Sequence, residues 1–267
     1  MLQLASLGYQ TDLALLRLGG TLVEDHGDHL VVSSPDIPTY WWGNFLLLAE
    51  VPDPPASQRW LDRFAAAFPL AKHVAMGFDG TTGTLADLAW FTEKGFDAEA
   101  LTVMTAAAVR TPAHINRDAV YRGLRSDDDW ARGVELQIRC GRENIESVAA
   151  RTFATEKARI NRGLVEAGHG RWFGAFVGDR LAAQMGLLAA GPGLARFQSV
   201  QTDPDFRRRG LAGTLVRHVS RYGFDELGAR TLVMVADPDY FAIDLYRNVG
   251  FEPTETQLLV ERKPPDD

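Results

Sequence analysis

The spacing of apolar and polar positions predicts a chain that mixes helices and strands. In the first part of the sequence, helical spacing predicts helices at 9–18, 58–68 and 85–94, and Ser57 is the predicted N-cap of the second. Short runs of apolar and β-branched residues predict strands at 29–34, 44–50, 73–78 and 99–106. Residues 106–118 lose this periodicity and contain a proline, which predicts a linker or a domain junction.

The second part of the sequence has a clearer pattern. Strands are predicted at 119–125, 171–177, 181–189, 194–202, 231–236 and 254–262. Helices are predicted after the three aspartates 127–129, which would cap the first of them, and at 152–166, 210–227 and 239–249. Gly178-Asp179 between two apolar runs predicts a hairpin. The resulting order of elements is that of a mixed α/β fold.

Composition narrows the class of protein. The 267 residues allow one large domain or two small ones, and the net charge of −7 argues against a nucleic-acid partner. The single cysteine, Cys140, excludes a disulfide framework and a multi-cysteine metal site. The first residues, MLQL, lack the basic region of a signal peptide, and no apolar run approaches the length of a membrane span. We therefore expect a cytoplasmic protein without a membrane partner.

Residues 202–212, TDPDFRRRGLA, join a predicted strand to a predicted helix. The N-terminus of a helix presents unpaired N–H groups and the positive end of the helix dipole, so it suits an anion. Gly210 and Ala212 leave little side-chain bulk near that end, and the three preceding arginines add positive charge. The alternative is an ordinary turn with solvated arginines. The glycine patterns of Rossmann loops and P-loops are absent.

Residues 239–251, DYFAIDLYRNVGF, form a predicted short helix that ends at Gly250 and leads into a strand. Tyr246 lies on its last turn. A phenol at this position could donate a proton to a leaving group as a general acid. The alternative interpretation of Tyr246 is a half-buried aromatic residue of the core.

Together, the two segments resemble the GCN5-related N-acetyltransferase (GNAT) family. Residues 207–212, RRRGLA, match the Q/R-x-x-G-x-G/A pyrophosphate signature of that family. Thr202 and Pro204 match its strand-end V/T-x-P, and residues 239–251 resemble its N-x-x-A-x-x-L-Y-x-x-x-G-F motif. The order of the surrounding elements extends the resemblance to residues 119–262.

The resemblance implies the GNAT fold, a mixed and mostly antiparallel central sheet flanked by helices. It also implies direct acyl transfer from acetyl-CoA to an amine, with the strand backbone pairing with the pantetheine arm, the loop amides holding the pyrophosphate and Tyr246 protonating the departing thiolate. Because direct attack needs no covalent intermediate, Cys140 is interpreted as a core residue. The family asparagine that contacts the cofactor falls at Asp239, which cannot donate a hydrogen bond when ionised. The implied cofactor-binding residues are Val200, Gln201, Thr202, Arg207, Arg208, Arg209, Gly210, Leu211, Ala212, Gly213 and Asp239.

The sequence does not identify the base that would deprotonate the amine. The polar positions of the central strand 194–202 are held by Gln198, Ser199 and Gln201, none of which is a strong base at pH 7. The candidates elsewhere in the chain are Glu135, Asp203 and His114. A water relay, or an amine that arrives neutral, would also serve.

The first part of the sequence repeats this pattern faintly. Aligning Gly95 with Gly250 sets Phe91 opposite Tyr246, so the phenol is missing from the first copy. The corresponding loop, residues 52–57, is rich in proline and has neither glycine nor arginine, so it lacks amide donors for a pyrophosphate.

We therefore predict a tandem chain of two GNAT-like halves. A degenerate N-terminal domain occupies residues 1–110, and a catalytic domain occupies residues 118–263. The first would form an internal pseudo-dimer with the second, or a wall of its acceptor cleft. The aromatic residues within 40–44 would line a pocket or plug the space between domains. The alternative is an unrelated α/β domain with a chance glycine-phenylalanine match.

The function implied by the resemblance is an acetyl-CoA-dependent N-acetyltransferase that acts on a primary amine. A sensor or pseudoenzyme that holds acyl-CoA without turnover is the alternative, suggested by the missing strand carboxylate and by Asp239. A purely structural α/β protein is a third possibility. The negative net charge mildly favours a cationic acceptor, such as a polyamine, an aminoglycoside-like compound, an amino acid or a protein N-terminus. We expect no metal, and either a monomer or a homodimer.

Overall fold

The computed structural model describes residues 2–38, 40–141, 148–239 and 242–263. Its helices are α1 (Leu7–Leu18), α2 (Pro54–Ala67), α3 (Ala89–Glu93), α4 (Asp127–Arg139), α5 (Val148–Glu166), α6 (Leu211–Asp225) and α7 (Ala242–Val249). Its strands are β1 (Leu22–Asp25), β2 (His29–Ser33), β3 (Phe45–Leu48), β4 (Val74–Phe78), β5 (Asp97–Ala106), β6 (Val120–Gly123), β7 (Gly170–Val177), β8 (Arg180–Ala189), β9 (Leu194–Thr202), β10 (Thr231–Ala236) and β11 (Glu252–Arg262).

The predicted elements are confirmed with small shifts at their ends, with two exceptions. The first part of the helix predicted at 85–94 is a 3₁₀ turn, Leu85–Leu88, and the hydrophobic pattern missed the short strand β1. The assignment of Ser57 as an N-cap is wrong. Helix α2 starts earlier, at Pro54 after Asp53, and the Ser57 hydroxyl donates to the Asp53 carbonyl at 3.1 Å. Proline suits the first helical position because its φ is already helical and its missing N–H is not needed there.

Two other helix starts also differ from the prediction. Ser126, rather than the aspartates, caps α4, and its hydroxyl accepts the N–H of Asp129 at 3.1 Å while the Asp129 carboxylate faces the Ser126 N–H. The helix predicted from residue 239 is described from Ala242 onward, and residues 240 and 241 lie outside the described residues.

The chain forms two compact units that are not contiguous in sequence. The first comprises Met1–Val103, Val235–Tyr240 and Pro253–Asp267, and the second comprises Met104–Met234 and Phe241–Glu252. The sequence predicted a contiguous division into 1–110 and 118–263. The structure differs because β11, at the end of the chain, pairs antiparallel with β4, with Leu258 opposite Phe78.

In the first unit, the sheet has the strand order β1-β2-β3-β4-β11-β5. The β3 sequence FLLL is buried on both faces, which explains its continuous apolar run. Leu46 and Leu48 pack in a cluster with Trp60 and Phe64 of α2. The alternate residues of β3 pack in a second cluster with Tyr9 of α1.

In the second unit, the sheet has the strand order β10-β9-β8-β7-β6. The strands from β6 to β9 pair antiparallel, and β9 pairs parallel with β10. The adjacent residues Trp172 and Phe173 of β7 pack on opposite faces, Trp172 against Trp130 of α4 and Phe173 against Tyr222 of α6. The predicted fold class, a mixed and mostly antiparallel sheet flanked by helices, is confirmed.

Candidate functional site

The C-terminal end of β9 separates from its neighbour β10. The parallel register joins Thr231 to Leu194 and Val233 to Arg196, whereas β9 continues to Thr202. Both strands lie wholly within the described residues, so the backbone edge of β9 beyond Arg196 has no partner in β10. An unpaired strand edge can form main-chain hydrogen bonds with an extended ligand.

A bulge in β9 lies within this unpaired part. On the side of β8, Gln198 is opposite Gly186 and Gln201 is opposite Gln184, so β9 carries one more residue than β8 between these pairs. Ser199 has a φ of 49°, which is uncommon for a residue with a side chain. Such bulges bend a strand and occur next to active sites. Of the three strand residues predicted to bind the cofactor arm, Val200 lies in the bulge, and Gln201 and Thr202 follow it.

Asp203 anchors the end of β9. Its N–H donates to the Ala182 carbonyl at 2.9 Å, and its buried carboxylate accepts from Arg139 Nη2 and Arg180 Nη2, each at 3.0 Å. The carboxylate also accepts the N–H of Asp205 at 3.0 Å. Burial alone would raise the pKa of Asp203, but the Asp205 N–H and the arginines outweigh it and lower that pKa. The start of the loop is thereby held by an ionised carboxylate.

The carbonyl oxygen of Thr202 already accepts two hydrogen bonds from other residues of the chain. It accepts from Arg207 Nε at 3.3 Å and from the Cys140 thiol at 3.4 Å. Cys140 is half-buried at the end of α4, and burial raises the pKa of its thiol. A neutral thiol that donates a hydrogen bond is a poor nucleophile, which agrees with a structural role.

Gly210 gives α6 its particular start. The residue has a φ of 75° and is the N-cap of the helix, and Arg208 two positions earlier also has a positive φ, of 61°. A Cβ atom on Gly210 would lie 2.9 Å from the carbonyl oxygen of His114, so a side chain would not fit without a shift of the backbone. The first N–H groups of a helix lack intrahelical partners, and here they belong to Leu211, Ala212 and Gly213. This N-terminus can therefore bind an anion.

Asn116, in the segment interpreted from sequence as a linker, holds this loop in place. Its side-chain Nδ2 donates to the Arg209 carbonyl at 3.0 Å, and its N–H donates to Thr214 Oγ1 at 2.9 Å. Its Oδ1 accepts from the N–H groups of Asp118 and Ala119. Sequence reasoning missed this role. Asparagine in a turn could have been anticipated from its local hydrogen bonding, but its contact with residues about a hundred positions away could not.

The three arginines of the loop differ in their surroundings, although all are exposed. The Arg207 side chain is directed back to the strand end, and the guanidinium of Arg209 lies over the Phe206 ring at 5.0 Å. Arg208 makes no ion pair or ring contact within the described part of the chain. Arg208 is therefore available to an anionic ligand.

Tyr246 is buried in the last turns of α7, with 5% of its surface exposed. Its ring meets that of Phe251 edge-on at a centroid distance of 6.4 Å, and Phe251 in turn contacts Phe197 of β9 at 5.8 Å. The tyrosine is thus connected by packing to the strand that leads to the site. Its role as a general acid stays a prediction.

Asp239, predicted from the family motif, belongs to the first compact unit, in the segment Val235–Tyr240. Its N–H donates to Asp237 Oδ1 at 2.9 Å, and its side chain is exposed. Its predicted contact with a cofactor stays a prediction.

Two of the three candidate bases, Glu135 and Asp203, are weakened by arginines that pair with them. The Glu135 carboxylate is paired with Arg151, which lowers its pKa. Asp203 is paired with two arginines, as described above. A carboxylate with a lowered pKa is a weaker base than a free one. His114 lies on the exposed segment beside Gly210.

The family model of the acetyltransferase (GNAT) family matches residues 133–251, which contain β9, the loop, α6 and α7. Residues 133–251 are a GNAT domain. This assigns the domain to acyl-group transfer in general. A search of curated proteins finds no match to the sequence.

Solved structures support the fold over nearly the whole chain. A conserved protein of unknown function from Staphylococcus epidermidis has a TM-score of 0.71 at 12% identity, covering 92% of this chain and 94% of that one. A GCN5-related N-acetyltransferase from Kribbella flavida has a TM-score of 0.63 at 15% identity, covering 98% of both chains. A tandem GNAT protein from the clavulanic acid biosynthesis pathway has a TM-score of 0.55 at 16% identity, covering 95% of this chain and 89% of that one. At these identities the similarity shows the fold alone.

The first unit contains a strand pair comparable to that of the GNAT domain, but it stays paired. Strand β3 runs parallel to β4 with Leu48 opposite Phe78, and the Asp79 N–H still donates to the Leu48 carbonyl at 2.8 Å. The following helix begins with Pro54-Pro55, which have no N–H groups. The next amide, that of Ala56, already donates to Asp53 at 2.9 Å. This helix start therefore offers few free donors to an anion.

The ends of α3 and α7 have matching hydrogen bonds. The Phe96 N–H donates to the Phe91 carbonyl at 3.1 Å, and the Phe251 N–H donates to the Tyr246 carbonyl at 3.0 Å. In each case the two rings meet edge-on, with centroids 5.7 Å and 6.4 Å apart. The alignment of Gly95 with Gly250 thus sets two helix ends of similar local geometry opposite each other.

The aromatic residues near position 41 pack inside the first unit. Trp41 stacks on His73 at 5.6 Å, and Trp42 contacts Phe45 and donates to Glu261 at 2.9 Å.

Within the described residues, no helix is long and apolar enough to cross a bilayer, and no group of three or more His, Cys, Asp or Glu residues is arranged to hold a metal ion.

Proposed function

We propose that the GNAT domain transfers an acetyl group from acetyl-CoA directly to a primary amine. The observation that carries this proposal is the unpaired end of β9 leading into the start of α6 at Gly210. The strand edge can pair with an extended arm, and the helix start can bind a phosphate group. Coenzyme A contains an arm and phosphate groups in the same order.

The cofactor would lie along this path. The backbone of Val200 and Gln201 would pair with the pantetheine arm, while Thr202, whose carbonyl is occupied, would contribute through its N–H or side chain. The amides of residues 208–213 would hold the pyrophosphate. The Arg208 side chain would add charge, because it has no partner in the described part of the chain.

The reaction would need no covalent enzyme intermediate. The neutral amine attacks the thioester carbonyl, a C–N bond forms and the C–S bond breaks. Tyr246 would give its proton to the departing thiolate, and the proton of the amine would leave through water or a base. The ring contacts from Tyr246 through Phe251 to Phe197 give the tyrosine a fixed position relative to β9.

We also propose that the N-terminal half is a degenerate GNAT copy that binds no cofactor. The paired strands β3 and β4, the two prolines that start α2 and the phenylalanine at position 91 all support this. One acetyl-CoA site per chain is therefore expected.

An acyl-CoA sensor without turnover is the second candidate. It is favoured by the pairing of both candidate carboxylates, Glu135 and Asp203, with arginines. Release of the coenzyme A thiol in the presence of primary amines distinguishes the two. Transfer to any of them supports the enzyme, whereas tight acetyl-CoA binding with no transfer across polyamines, aminoglycosides, amino acids and peptide N-termini supports the sensor.

Calorimetric titration with acetyl-CoA tests the site itself. We expect one site per chain, lost in Gly210→Asp, because that change places a side chain and a negative charge at the predicted pyrophosphate site. Gly228→Asp is the matched control, since Gly228 also has a positive φ, of 69°, but has open space around it. Two sites would contradict the degenerate copy, and no binding by the folded wild type would contradict the proposed function.

A further inference from the structure

The C-terminal end of α7 is completed by a residue that lies far away in the sequence. The last carbonyls of a helix have no partner within the helix. Arg110 donates to the three carbonyls that follow Tyr246. Its main-chain N–H donates to Val249 at 2.9 Å, and its guanidinium donates to Asn248 at 3.2 Å and to Arg247 at 2.5 Å. One arginine of the segment between β5 and β6 thus caps the turn that carries the tyrosine.

This cap is important because α7 is short. Its described part, Ala242–Val249, has eight residues, and a helix of this length is marginal by itself in water. The guanidinium also places a positive charge at the negative end of the helix dipole. The position of the last turn therefore depends on contacts such as those of Arg110.

A glycine allows the segment that contains Arg110 to approach the helix end. Gly250 follows α7 and has a φ of 114°. A Cβ atom on Gly250 would lie 3.2 Å from the carbonyl oxygen of Ala108, so a side chain there would press against the segment. Gly250 is required by this close approach as well as by its own conformation.

The same segment contacts the start of α6. A Cβ atom on Gly213, in the first turn of α6, would lie 3.7 Å from Pro112 Cβ and 3.9 Å from Leu245 Cγ of α7. Pro112 is buried at this contact. A few residues later, Asn116 donates to the carbonyl of Arg209. The segment thus fixes the last turn of α7 against the start of α6.

We propose that Arg110 is a positioning residue for acyl transfer, which holds Tyr246 where its phenol reaches the sulfur of the departing coenzyme A. This inference rests on the proposed function. Arg110 contacts only carbonyls of α7, so it acts through the helix. The phosphates would bind at the start of α6 and the proton would come from α7, so the placement of the two helices decides whether the phenol reaches the leaving group. A small misplacement of a reacting group slows a reaction strongly.

Arg110→Gln tests this role, because it removes the guanidinium from α7 and keeps the main-chain bond to Val249. The assay follows the release of coenzyme A thiol from acetyl-CoA with a mixture of spermidine, kanamycin, lysine and a tripeptide as acceptors, and calorimetry gives the Kd for acetyl-CoA. We expect the rate at saturating acetyl-CoA to fall at least about fivefold while the Kd stays the same. Arg110→Lys keeps the charge at the helix end and should restore part of the rate.

Arg247→Gln is the matched control. Arg247 belongs to the same turn, but its side chain is exposed and pairs with Asp244. This variant should have the rate and the Kd of the wild type. Urea unfolding shows whether each variant is folded, and Arg110→Lys carries the comparison if Arg110→Gln does not fold.

Combination with Tyr246→Phe separates positioning from a general effect on the fold. If Arg110 acts through the phenol, Arg110→Gln should cause no further loss of rate once the phenol is absent. A general loosening of α7 would lower the rate by the same factor with and without the phenol, and this result would overturn the inference. A wild-type rate in Arg110→Gln, or a parallel loss of affinity for acetyl-CoA, would overturn it as well.

The same measurements keep this inference apart from the proposed function. Equal rates of acetyl transfer in the wild type and in Arg110→Gln leave the proposed function intact and overturn only the role of Arg110. A wild type that releases no thiol above the uncatalysed rate overturns the proposed function and this inference with it.

Discussion

Gly210 approaches the backbone of His114 so closely that a Cβ atom would lie 2.9 Å from the His114 carbonyl oxygen. The segment 107–119 lies between β5 and β6 and has no helix or strand of its own. It nevertheless determines how α6 begins, because Asn116 donates a hydrogen bond to the Arg209 carbonyl and the His114 carbonyl lies beside Gly210. The glycine is therefore required by a tertiary contact as well as by its positive φ.

Gly210→Ala should both destabilise the GNAT domain and weaken acetyl-CoA binding. Positive φ costs an alanine about 1 kcal/mol, and the clash with His114 adds to that. Gly228→Ala, at a positive φ in open space, should show the first cost only and bind acetyl-CoA as the wild type does. Urea unfolding and calorimetry measure the two effects, and equal behaviour of the two variants would argue against the contact with His114.

Tyr246→Phe should lower the rate of acetyl transfer at least about tenfold while leaving the Kd for acetyl-CoA unchanged. The fold should tolerate it, since Phe91 occupies the comparable helix end in the first unit. Tyr222→Phe removes a hydroxyl from α6 of the same domain and should not affect the rate. If Tyr246→Phe weakened binding and rate equally, the tyrosine would have a packing role instead.

Asp129→Asn should destabilise the protein at neutral pH, and the effect should shrink in acid. The Arg122 guanidinium, with the Arg125 and Ser126 amides, holds the pKa of the buried Asp129 far below its unfolded value of about 4. The ionised form therefore contributes stability above that unfolded value, and this is lost as pH falls toward the folded pKa.

At pH 7 the expected loss is about 2 kcal/mol, since the change removes the negative charge that faces the partly exposed Arg122 guanidinium. Urea unfolding at pH 7, 5 and 3 measures it. Asp127→Asn, on the same helix with an exposed ion pair to Arg162, should change stability by about 0.5 kcal/mol or less. A difference between wild type and Asp129→Asn that is constant across these pH values would contradict the assignment.

Gln184→Met should cost about 2 kcal/mol of stability, because it leaves the buried indole N–H of Trp172 without its acceptor. Gln198→Met makes the same exchange at a half-buried position of β9 and should cost less than about 1 kcal/mol. Urea unfolding, followed by tryptophan fluorescence, compares them. Equal losses would mean that the hydrogen bonds of the Gln184 side chain contribute nothing to stability beyond the burial of that side chain.

Local patterns were sufficient for most of the fold and for the loop. The apolar runs of β7 and β8, the hairpin at Gly178-Asp179 and the helical spacing of α6 are properties of neighbouring residues, so the sequence predicted them directly. The family motifs predicted the glycine at the start of α6 for the same reason. Ser57 was misassigned because serine and proline are both favoured at helix starts, and only the packed helix shows which one begins it.

Other features depend on residues far apart in the sequence, and only the tertiary structure decided them. The separation of β9 from β10 after Arg196 depends on the paths of two strands that lie far apart in the sequence. The pairing of β11 with β4, the contact of His114 with Gly210 and the two arginines on Asp203 join segments that no local pattern connects. The sequence by itself determined most of the elements and the place of the glycine loop that starts α6, because these follow from local spacing. The orientation of the Gln184 amide follows from its hydrogen bonds to Trp172, Gly133 and Gln201, which come together only in the folded chain.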